Sequence, residues 1–202
     1  MSGKPDQPNI KDLIEKLKLS LQHEQEPIPL KPKGIALPKA SVAVILRPNY
    51  RLNYLQVLLI KRKIRESDPW SGQMAFPGGR SSKSDKNPLS TAIREVMEET
   101  GLDLRDFSIL GVLDDVVPRN VSIRVTPFVT LSKEEASVRI EPREVESFVW
   151  IPLSFFSDNK NKRSYLISRL GQQLEVPSYR FAGQVIWGLT LRIIEDLITR
   201  IQ

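Results

Sequence analysis

The sequence predicts an α/β protein, in which β-strands and amphipathic helices share one core. Two apolar runs of strand length, at residues 40–46 and 55–60, flank a polar turn near residues 49–53, as the arms of a β-hairpin do. Apolar residues at helical spacing occur at about residues 10–22 and again at about residues 181–201. Strands and helices are therefore combined in a chain of 202 residues, a length that suits one domain.

Further elements are predicted between the hairpin and the last helix. Additional strands are expected at residues 107–113, 123–131 and 148–151. A helix is expected before them, because Asn87 can cap it, Pro88 suits its first turn and Gly101 suits the left-handed residue beyond its end. Phe128 and Trp187 lie in apolar elements and are predicted to be core residues.

Composition excludes several classes of protein. Apolar residues make up 40% and charged residues 27% of the chain, as in soluble globular proteins. The chain has no cysteine, so it has no disulfide, thiol nucleophile or cysteine-based zinc site, and its one histidine, His23, lies in a polar stretch. No apolar run approaches the length of a membrane span, and the N-terminus lacks an apolar segment like that of a secretory signal. We therefore expect a cytoplasmic protein with no membrane partner.

The net charge of +6 and the isoelectric point of about 9.6 favour a polyanionic partner. The sequence contains no recognised nucleic-acid-binding motif and no long basic tract. A phosphorylated small molecule explains the charge as well as a nucleic acid would. We therefore expect a phosphorylated substrate and no nucleic acid.

Residues 1–38 are predicted to form an appendage to a domain at residues 39–202. The apolar stripe of the first helix consists of Ile10, Leu13, Ile14, Leu17 and Leu21. A connector follows at residues 24–38, and its four prolines favour an extended chain. The stripe is expected to dock on the domain or on a second subunit, in which case the protein would be a homodimer.

Three carboxylates are predicted to share one face of the helix that Asn87 caps. Glu95, Glu98 and Glu99 stand at positions i, i+3 and i+4, so their like charges repel one another. Hard divalent cations bind carboxylate oxygens, and Mg²⁺ typically bridges such a site to substrate phosphates. The alternative for any acidic cluster on a helix is a solvated face.

The residues around these glutamates resemble the signature box of the Nudix hydrolases. Residues 94–102 read REVMEETGL and match every defined position of the second half of the box, and Gly79 matches its glycine. Two positions differ from the general pattern. Asp85 stands where the box has a glutamate, and the gap from Asp85 to Arg94 is one residue longer than usual.

The longer gap between Asp85 and Arg94 indicates one branch of the superfamily. Together with residues 72–79, which read GQMAFPGG, it is similar to the coenzyme A pyrophosphatase branch. Residues 125–129, 144–153 and 186–190 resemble segments of that branch in matching order, so the resemblance covers about residues 38–200. Residues 58–63, LLIKRK, match the upstream signature of the branch only in part.

The resemblance implies a fold and a chemistry. The fold is an α/β/α sandwich with a mixed β-sheet, and the reaction is hydrolysis of a nucleoside diphosphate linked to another group. Glu95, Glu98 and Glu99 would hold Mg²⁺ or Mn²⁺, while Arg94 would orient a carboxylate. Glu144 is the candidate for the general base, and Glu98 and Glu99 compete with it for that role. Asp85 is interpreted either as an outer residue of the metal site or as a cap of its loop.

Substrate contacts are predicted for two glycines and several basic residues. Gly78 and Gly79 permit a tight turn and a close approach of the backbone. The predicted cationic contacts are Arg62, Arg65, Arg80 and Arg119. The basic run at residues 61–65 either borders the cleft, where it could recognise a 3′-phosphate, or forms a solvated loop.

Three functions remain open at this point. The first is hydrolysis of coenzyme A or a derivative to adenosine 3′,5′-bisphosphate and 4′-phosphopantetheine. The second is hydrolysis of ADP-ribose, dinucleotides or oxidised nucleoside triphosphates. The third is non-catalytic binding of a ligand or RNA by a Nudix fold, for which the complete set of Arg94 and the three glutamates would not be needed.

Overall fold

The computed structural model describes residues 9–22, 37–66, 68, 70–119, 121–133, 135–169 and 171–202. The α-helices are α1 (Ile10–Gln22), α2 (Pro88–Thr100), α3 (Leu153–Ser157) and α4 (Gly188–Ile201). The strands are β1 (Lys39–Asn49), β2 (Tyr54–Arg62), β3 (Met74–Ala75), β4 (Gly78–Arg80), β5 (Ser108–Val112), β6 (Arg124–Leu131), β7 (Val145–Pro152), β8 (Lys162–Arg169), β9 (Gln172–Phe181) and β10 (Gln184–Trp187). His23 and most of the predicted connector lie outside the described residues. None of the described helices has the length and apolar content needed to cross a membrane.

Seven of these strands form one mixed sheet. Its main path runs β3-β2-β1-β6-β5, while β4 pairs with β1 and β7 pairs with β2. Strands β1 and β6 are parallel, with Lys39 opposite Arg124, and the other pairs are antiparallel. The predicted hairpin is confirmed, because β1 and β2 pair with Leu46 opposite Val57. Asn49 closes its turn by accepting a hydrogen bond from the Leu52 backbone N–H at 2.9 Å.

Helices cover both faces of this sheet. Successive side chains of a strand point to opposite faces. Ala43 and Ile45 of β1 accordingly pack with Val96 of α2, whereas Val44 and Leu46 belong to the cluster that contains α1, α3 and α4. The fold is therefore the α/β/α sandwich with a mixed sheet that the sequence predicts.

Helix α1 buries its apolar stripe in the second of these clusters. Ile10, Ile14, Leu17 and Leu21 are all buried, and the helix packs against β5 and α4. Gly111 on β5 makes the close approach possible, because a Cβ atom at this position would lie 2.5 Å from the Cβ of Leu21. The helix thus docks on the domain, as expected. The boundary at residue 38 and the homodimer stay predictions.

The burial of α1 gives a direct test. Leu17→Ala is expected to lower the free energy of unfolding by about 2–4 kcal/mol, since it leaves a cavity in a packed core, where Leu17 is fully buried. Leu19→Ala on the same helix is the matched control, because the Leu19 side chain is 59% exposed. Its effect is expected to stay within about 0.5 kcal/mol. Thermal and denaturant unfolding of both variants measure the difference, and equal effects would mean that α1 does not pack as described.

The predicted start of the last helix is wrong. Helix α4 begins at Gly188 and not near residue 181. Ala182 and Gly183 both have positive φ and form a two-residue turn, so residues 184–187 fold back on β9 as strand β10. Strands β8, β9 and β10 form a second, three-stranded sheet that the sequence analysis missed.

The two predicted core aromatic residues differ in outcome. Phe128 is buried against α2, as expected. Trp187 ends β10, is only half-buried and lies 5.9 Å, between ring centroids, from Tyr165 of β8. Both Trp187 and Tyr165 line a cavity, so the interpretation of Trp187 as core is corrected.

Candidate active site

A cavity of about 1190 Å³ lies between the main sheet and the β8–β9 hairpin. One end is lined by Glu95 and Glu99 of α2 and by Glu144, which precedes β7. Gly78 and Gly79 of β4 line the same cavity. The structure thus brings these five predicted site residues, and three of the predicted arginines, to a single cavity.

Helix α2 is capped at both ends. The Asn87 side chain accepts a hydrogen bond from the Ser90 N–H at 2.8 Å, and the Ser90 hydroxyl accepts one from the Asn87 N–H at 3.0 Å. Gly101 ends the helix with φ 66°. The predicted caps are therefore confirmed. Glu98 points away from the interior, and its side chain is 52% exposed.

Glu99 is the most deeply buried carboxyl group of the site. Its Oε2 accepts a hydrogen bond from the Gly78 N–H at 2.8 Å, and its Oε1 lies 3.5 Å from Nη1 of Arg62. The pKa of Glu99 is raised from 4.5 to about 8, chiefly by burial. The charges of Glu95 and Glu144 also raise this pKa, whereas the Gly78 hydrogen bond and the charge of Arg62 lower it. Glu99 is therefore held in a position where its negative charge is costly.

Glu95 lies beside Glu99 and packs closely against the Gly-Gly turn. A Cβ atom at Gly79 would fall 2.2 Å from Oε2 of Glu95, so only glycine leaves room for this carboxylate. The pKa of Glu95 is raised, chiefly by burial. The charges of Glu98 and Glu144 also raise this pKa, whereas Arg94 lowers it. Arg94 Nη1 donates to Glu95 Oε1 at 2.7 Å and to Glu98 Oε2 at 3.1 Å.

Asp85 holds Arg94 in place from the other side. Its Oδ1 and Oδ2 accept hydrogen bonds from Nε and Nη2 of Arg94 at 3.1 and 2.9 Å. The same Oδ2 also accepts from the Ser82 N–H at 2.8 Å and from the Thr91 hydroxyl at 3.0 Å. The Arg94 guanidinium holds the pKa of Asp85 far below its ordinary value. Asp85 therefore caps its loop and also positions the arginine that contacts Glu95 and Glu98.

Because Asp85 positions Arg94, its substitution is expected to lower activity even though the three glutamates are unchanged. Asp85→Asn is expected to lower kcat/KM about 10- to 100-fold, the usual cost of removing a group that orients metal ligands. The neutral amide cannot form the same two-point ion pair with Arg94. Asp106→Asn, at an exposed position in the turn after α2, serves as the control. Steady-state kinetics at saturating metal measure the effect, and wild-type kcat/KM in Asp85→Asn would contradict it.

The predicted cationic residues separate into those that line the cavity and one that does not. Arg62, Arg80 and Arg119 line it, although Arg62 is also bound to Asp68 at 2.7 Å. Arg65 is not among the described residues that line the cavity. It lies 3.7 Å from Glu144 and donates to a backbone carbonyl. The contacts that these arginines would make with a substrate stay predictions.

Several cavity residues were missed by the sequence analysis. They come from the second sheet and from α4: Tyr165, Ile167, Arg169, Leu174, Val176 and Arg192. Alternation of apolar and polar residues on the two sides of Gly171 is the signal that could have predicted this hairpin. The position of Arg192 over the cavity depends on packing alone and has no local signal.

The carboxylates fit a hard divalent cation by their chemistry. All the donors are oxygens, as Mg²⁺ and Mn²⁺ prefer, and their mutual repulsion is the kind that a cation relieves. Over the described part of the chain, no group of three or more His, Cys, Asp or Glu side chains is arranged as a metal site. Glu95 and Glu98 are instead turned to Arg94, and Glu99 to Arg62. Glu95, Glu98 and Glu99 stay the predicted ligands.

Comparisons with known proteins show the family of this chain. The sequence model of the NUDIX domain family matches residues 37–170. The chain is 35% identical over 147 residues to the uncharacterized Nudix hydrolase NudL of Photorhabdus laumondii, covering 72% of this chain and 77% of that protein. It is 28% identical over 193 residues to the NudL of Pectobacterium atrosepticum, covering 95% and 94%. The chain therefore belongs to the NUDIX domain family.

A solved structure shares the fold. The NUDIX domain of NrtR from Shewanella oneidensis, complexed with ADP ribose, matches 89% of this chain and 99% of its own with a TM-score of 0.53 and 19% identity. The protein is thus a Nudix pyrophosphohydrolase, which acts on substrates that contain a pyrophosphate. Members of this family generally use divalent ions such as Mg²⁺ or Mn²⁺.

Proposed function

We propose that this pyrophosphohydrolase acts on coenzyme A or a derivative and releases adenosine 3′,5′-bisphosphate and 4′-phosphopantetheine. The resemblance of residues 72–79 and of the longer loop after Gly79 to the coenzyme A branch supports this choice. The shape of the cavity supports it independently, because coenzyme A carries its diphosphate between a nucleotide and a long, weakly polar arm.

One observation carries the proposal. The cavity that contains Glu95 and Glu99 extends to an apolar face of the second sheet. On that face Tyr165 pairs with Val176 and Ile167 pairs with Leu174, so four side chains form a continuous apolar wall. Ligand sites of this kind combine an apolar lining with a few polar groups that fix orientation. The wall suits the pantetheine arm, while the carboxylate end suits the diphosphate.

The glutamates of α2 would hold the metal ion. Glu95, Glu98 and Glu99 supply the carboxylate oxygens, and Arg94 keeps Glu95 and Glu98 in position. When bound, the metal neutralises charge on the phosphoryl oxygens and lowers the pKa of coordinated water. The protein contributes a partly enclosed site, in which these charge interactions are stronger than in bulk water.

Glu144 is the proposed general base. It is half-buried, it lines the cavity, and its charge acts on both Glu95 and Glu99. In this role its carboxylate accepts a proton from the attacking water while Arg65, 3.7 Å away, limits its movement. Glu98 and Glu99 remain competitors for the role, and Glu144→Gln compared with Glu98→Gln over a range of pH separates them.

A substrate panel tests the proposed function. Coenzyme A, an acyl-coenzyme A, ADP-ribose, a dinucleotide and an oxidised nucleoside triphosphate are compared at saturating Mg²⁺ and Mn²⁺, with products identified by chromatography. We expect the highest kcat/KM for a coenzyme A compound, with release of 4′-phosphopantetheine. Faster hydrolysis of ADP-ribose or of a nucleotide would replace this proposal with the second function. Tight binding without turnover of any compound would replace it with non-catalytic binding.

A further inference from the structure

Two basic residues near the carboxylate end, Lys61 and Arg62, are already paired with acidic side chains. Lys61 lies 2.7 Å from Glu146, and Arg62 contacts Asp68 at 2.7 Å and Glu99 at 3.5 Å. A phosphate placed here would have to compete with these carboxylates for the same guanidinium and ammonium groups. For Lys61 and Arg62, these contacts therefore do not favour the expected recognition of a 3′-phosphate.

A second group of cations lines the cavity on the side of the turn at residues 117–119. Arg169 Nη2 donates to the Arg119 carbonyl at 3.2 Å, and Arg192 Nη1 donates to the Val117 carbonyl at 3.1 Å. Arg119, Arg169 and Arg192 all line the cavity and are exposed to solvent. The guanidinium groups of Arg169, on a strand, and Arg192, on a helix, are thus both bonded to the segment that carries Arg119.

Among the residues that the structure describes, no acidic side chain is paired with this second group. Carbonyl oxygens orient Arg169 and Arg192 but carry no full negative charge. Glu195 also lines the cavity, yet no described acidic side chain forms an ion pair within 4.0 Å of Arg119, Arg169 or Arg192. Arginine is the residue that best matches the geometry of a phosphate group, through paired N–H donors. The position suits a bound anion.

We propose that Arg119, Arg169 and Arg192 form a subsite for a phosphomonoester on the substrate, separate from the diphosphate that is cleaved. The proposal rests on the function proposed above, since the 3′-phosphate of coenzyme A is a group of this kind. Glu95, Glu99 and Glu144 repel a second anion at their end of the cavity. The apolar wall of the hairpin offers it no partner. The arginine subsite therefore selects substrates that carry the extra phosphate.

Two substrates that differ only in this phosphate test the subsite. We expect the wild-type kcat/KM for coenzyme A to exceed that for dephospho-coenzyme A about tenfold or more, because a charge-assisted contact discriminates by this amount. Arg169→Gln and Arg192→Gln should each reduce the ratio to about threefold or less. Arg180→Gln is the matched control, since Arg180 lies exposed on the same sheet and outside the cavity lining, and it should keep the wild-type ratio.

A binding measurement separates the subsite from catalysis. Calorimetry on the metal-free protein should give a Kd about tenfold lower for adenosine 3′,5′-bisphosphate than for adenosine 5′-monophosphate, and Arg169→Gln should remove this difference. The proposed subsite would be overturned if the wild type bound both adenosine phosphates with equal Kd values. It would also be overturned if Arg169→Gln and Arg192→Gln both kept the roughly tenfold difference between the two Kd values. If only Arg62→Ala lost the preference for adenosine 3′,5′-bisphosphate, the subsite would also be overturned, because the extra phosphate would then bind at the carboxylate end. A wild-type protein that hydrolyses neither coenzyme A compound would overturn the proposed function, while the two Kd values still decide the subsite.

Discussion

Glu99→Gln is expected to lower kcat at least about 100-fold, a loss of about 2.7 kcal/mol of transition-state stabilisation. The amide oxygen can still accept the hydrogen bond that the Gly78 N–H donates to Glu99, so the fold should be retained. What is lost is the negative charge that a divalent ion requires of its ligand. Glu98→Gln should show a loss in the same direction.

The control for this variant is Glu146→Gln. Glu146 pairs with Lys61 and is 40% exposed, and it is not among the described residues that line the cavity. Its substitution should change kcat by less than about twofold, as expected of a surface ion pair. Turnover is measured at saturating Mg²⁺ with the best substrate of the panel. If Glu98→Gln and Glu99→Gln both retain activity within a few-fold of wild type, the assignment of the metal site is wrong.

Glu99→Gln should also alter the way in which the stability of the protein depends on pH. Burial raises the pKa of Glu99 from 4.5 to about 8, so the folded protein binds this proton more tightly than the unfolded chain. The resulting stabilisation is complete below pH 4.5 and is lost as pH rises towards 8. In the presence of a chelator, Glu99→Gln should therefore gain in Tm relative to wild type across this range. Parallel Tm curves would show that Glu99 is ionised without cost.

Gly78→Ala is expected to destabilise the protein by about 3 kcal/mol or more. Gly78 has φ 146°, a conformation that residues with side chains rarely adopt. A Cβ atom there would lie 2.3 Å from the Ser41 carbonyl oxygen and 2.6 Å from the Val42 Cα. Both are backbone atoms of the central strand β1, so they cannot move without disturbing the sheet.

Gly79→Ala is the matched comparison one residue later. The three atoms nearest to its added Cβ all belong to the carboxylate of Glu95, the far end of a flexible side chain. We expect the fold to remain, with a change of less than about 1 kcal/mol, and kcat/KM to fall at least about tenfold as Glu95 is displaced. Unfolding curves and kinetics of both variants measure the contrast. A stable, inactive Gly78→Ala together with an unstable Gly79→Ala would contradict the described packing of this turn.

Local signals account for the parts of the fold that were predicted correctly. The β1–β2 hairpin, the caps of α2 and the stripe of α1 each depend on residues close together in sequence. The start of α4 was predicted wrongly because Val185 and Leu189 have helical spacing, while the turn at residues 182–183 places Val185 in a strand. Periodicity alone does not reveal such a turn.

The site shows the same division. The spacing of Glu95, Glu98 and Glu99 was enough to predict a carboxylate cluster on α2. The ion pair between Arg62 and Glu99 was not predictable, because it joins distant parts of the chain. Arg65 follows Arg62 closely in sequence and yet stays outside the cavity lining. Which cations remain free to meet a substrate is decided only when the chain folds.

Half of the apolar wall and one arginine of the proposed subsite lie beyond the segment that contains the carboxylates. The carboxylates and the Gly-Gly turn lie within the family match at residues 37–170, whereas Leu174, Val176, Trp187 and Arg192 follow it. Mutations in the later segment can reshape the apolar wall and the arginine cluster without touching α2. Selection for a new substrate could therefore act on residues 171–192 while the hydrolytic apparatus is inherited unchanged. Directed evolution confined to that segment is a practical route to altered specificity.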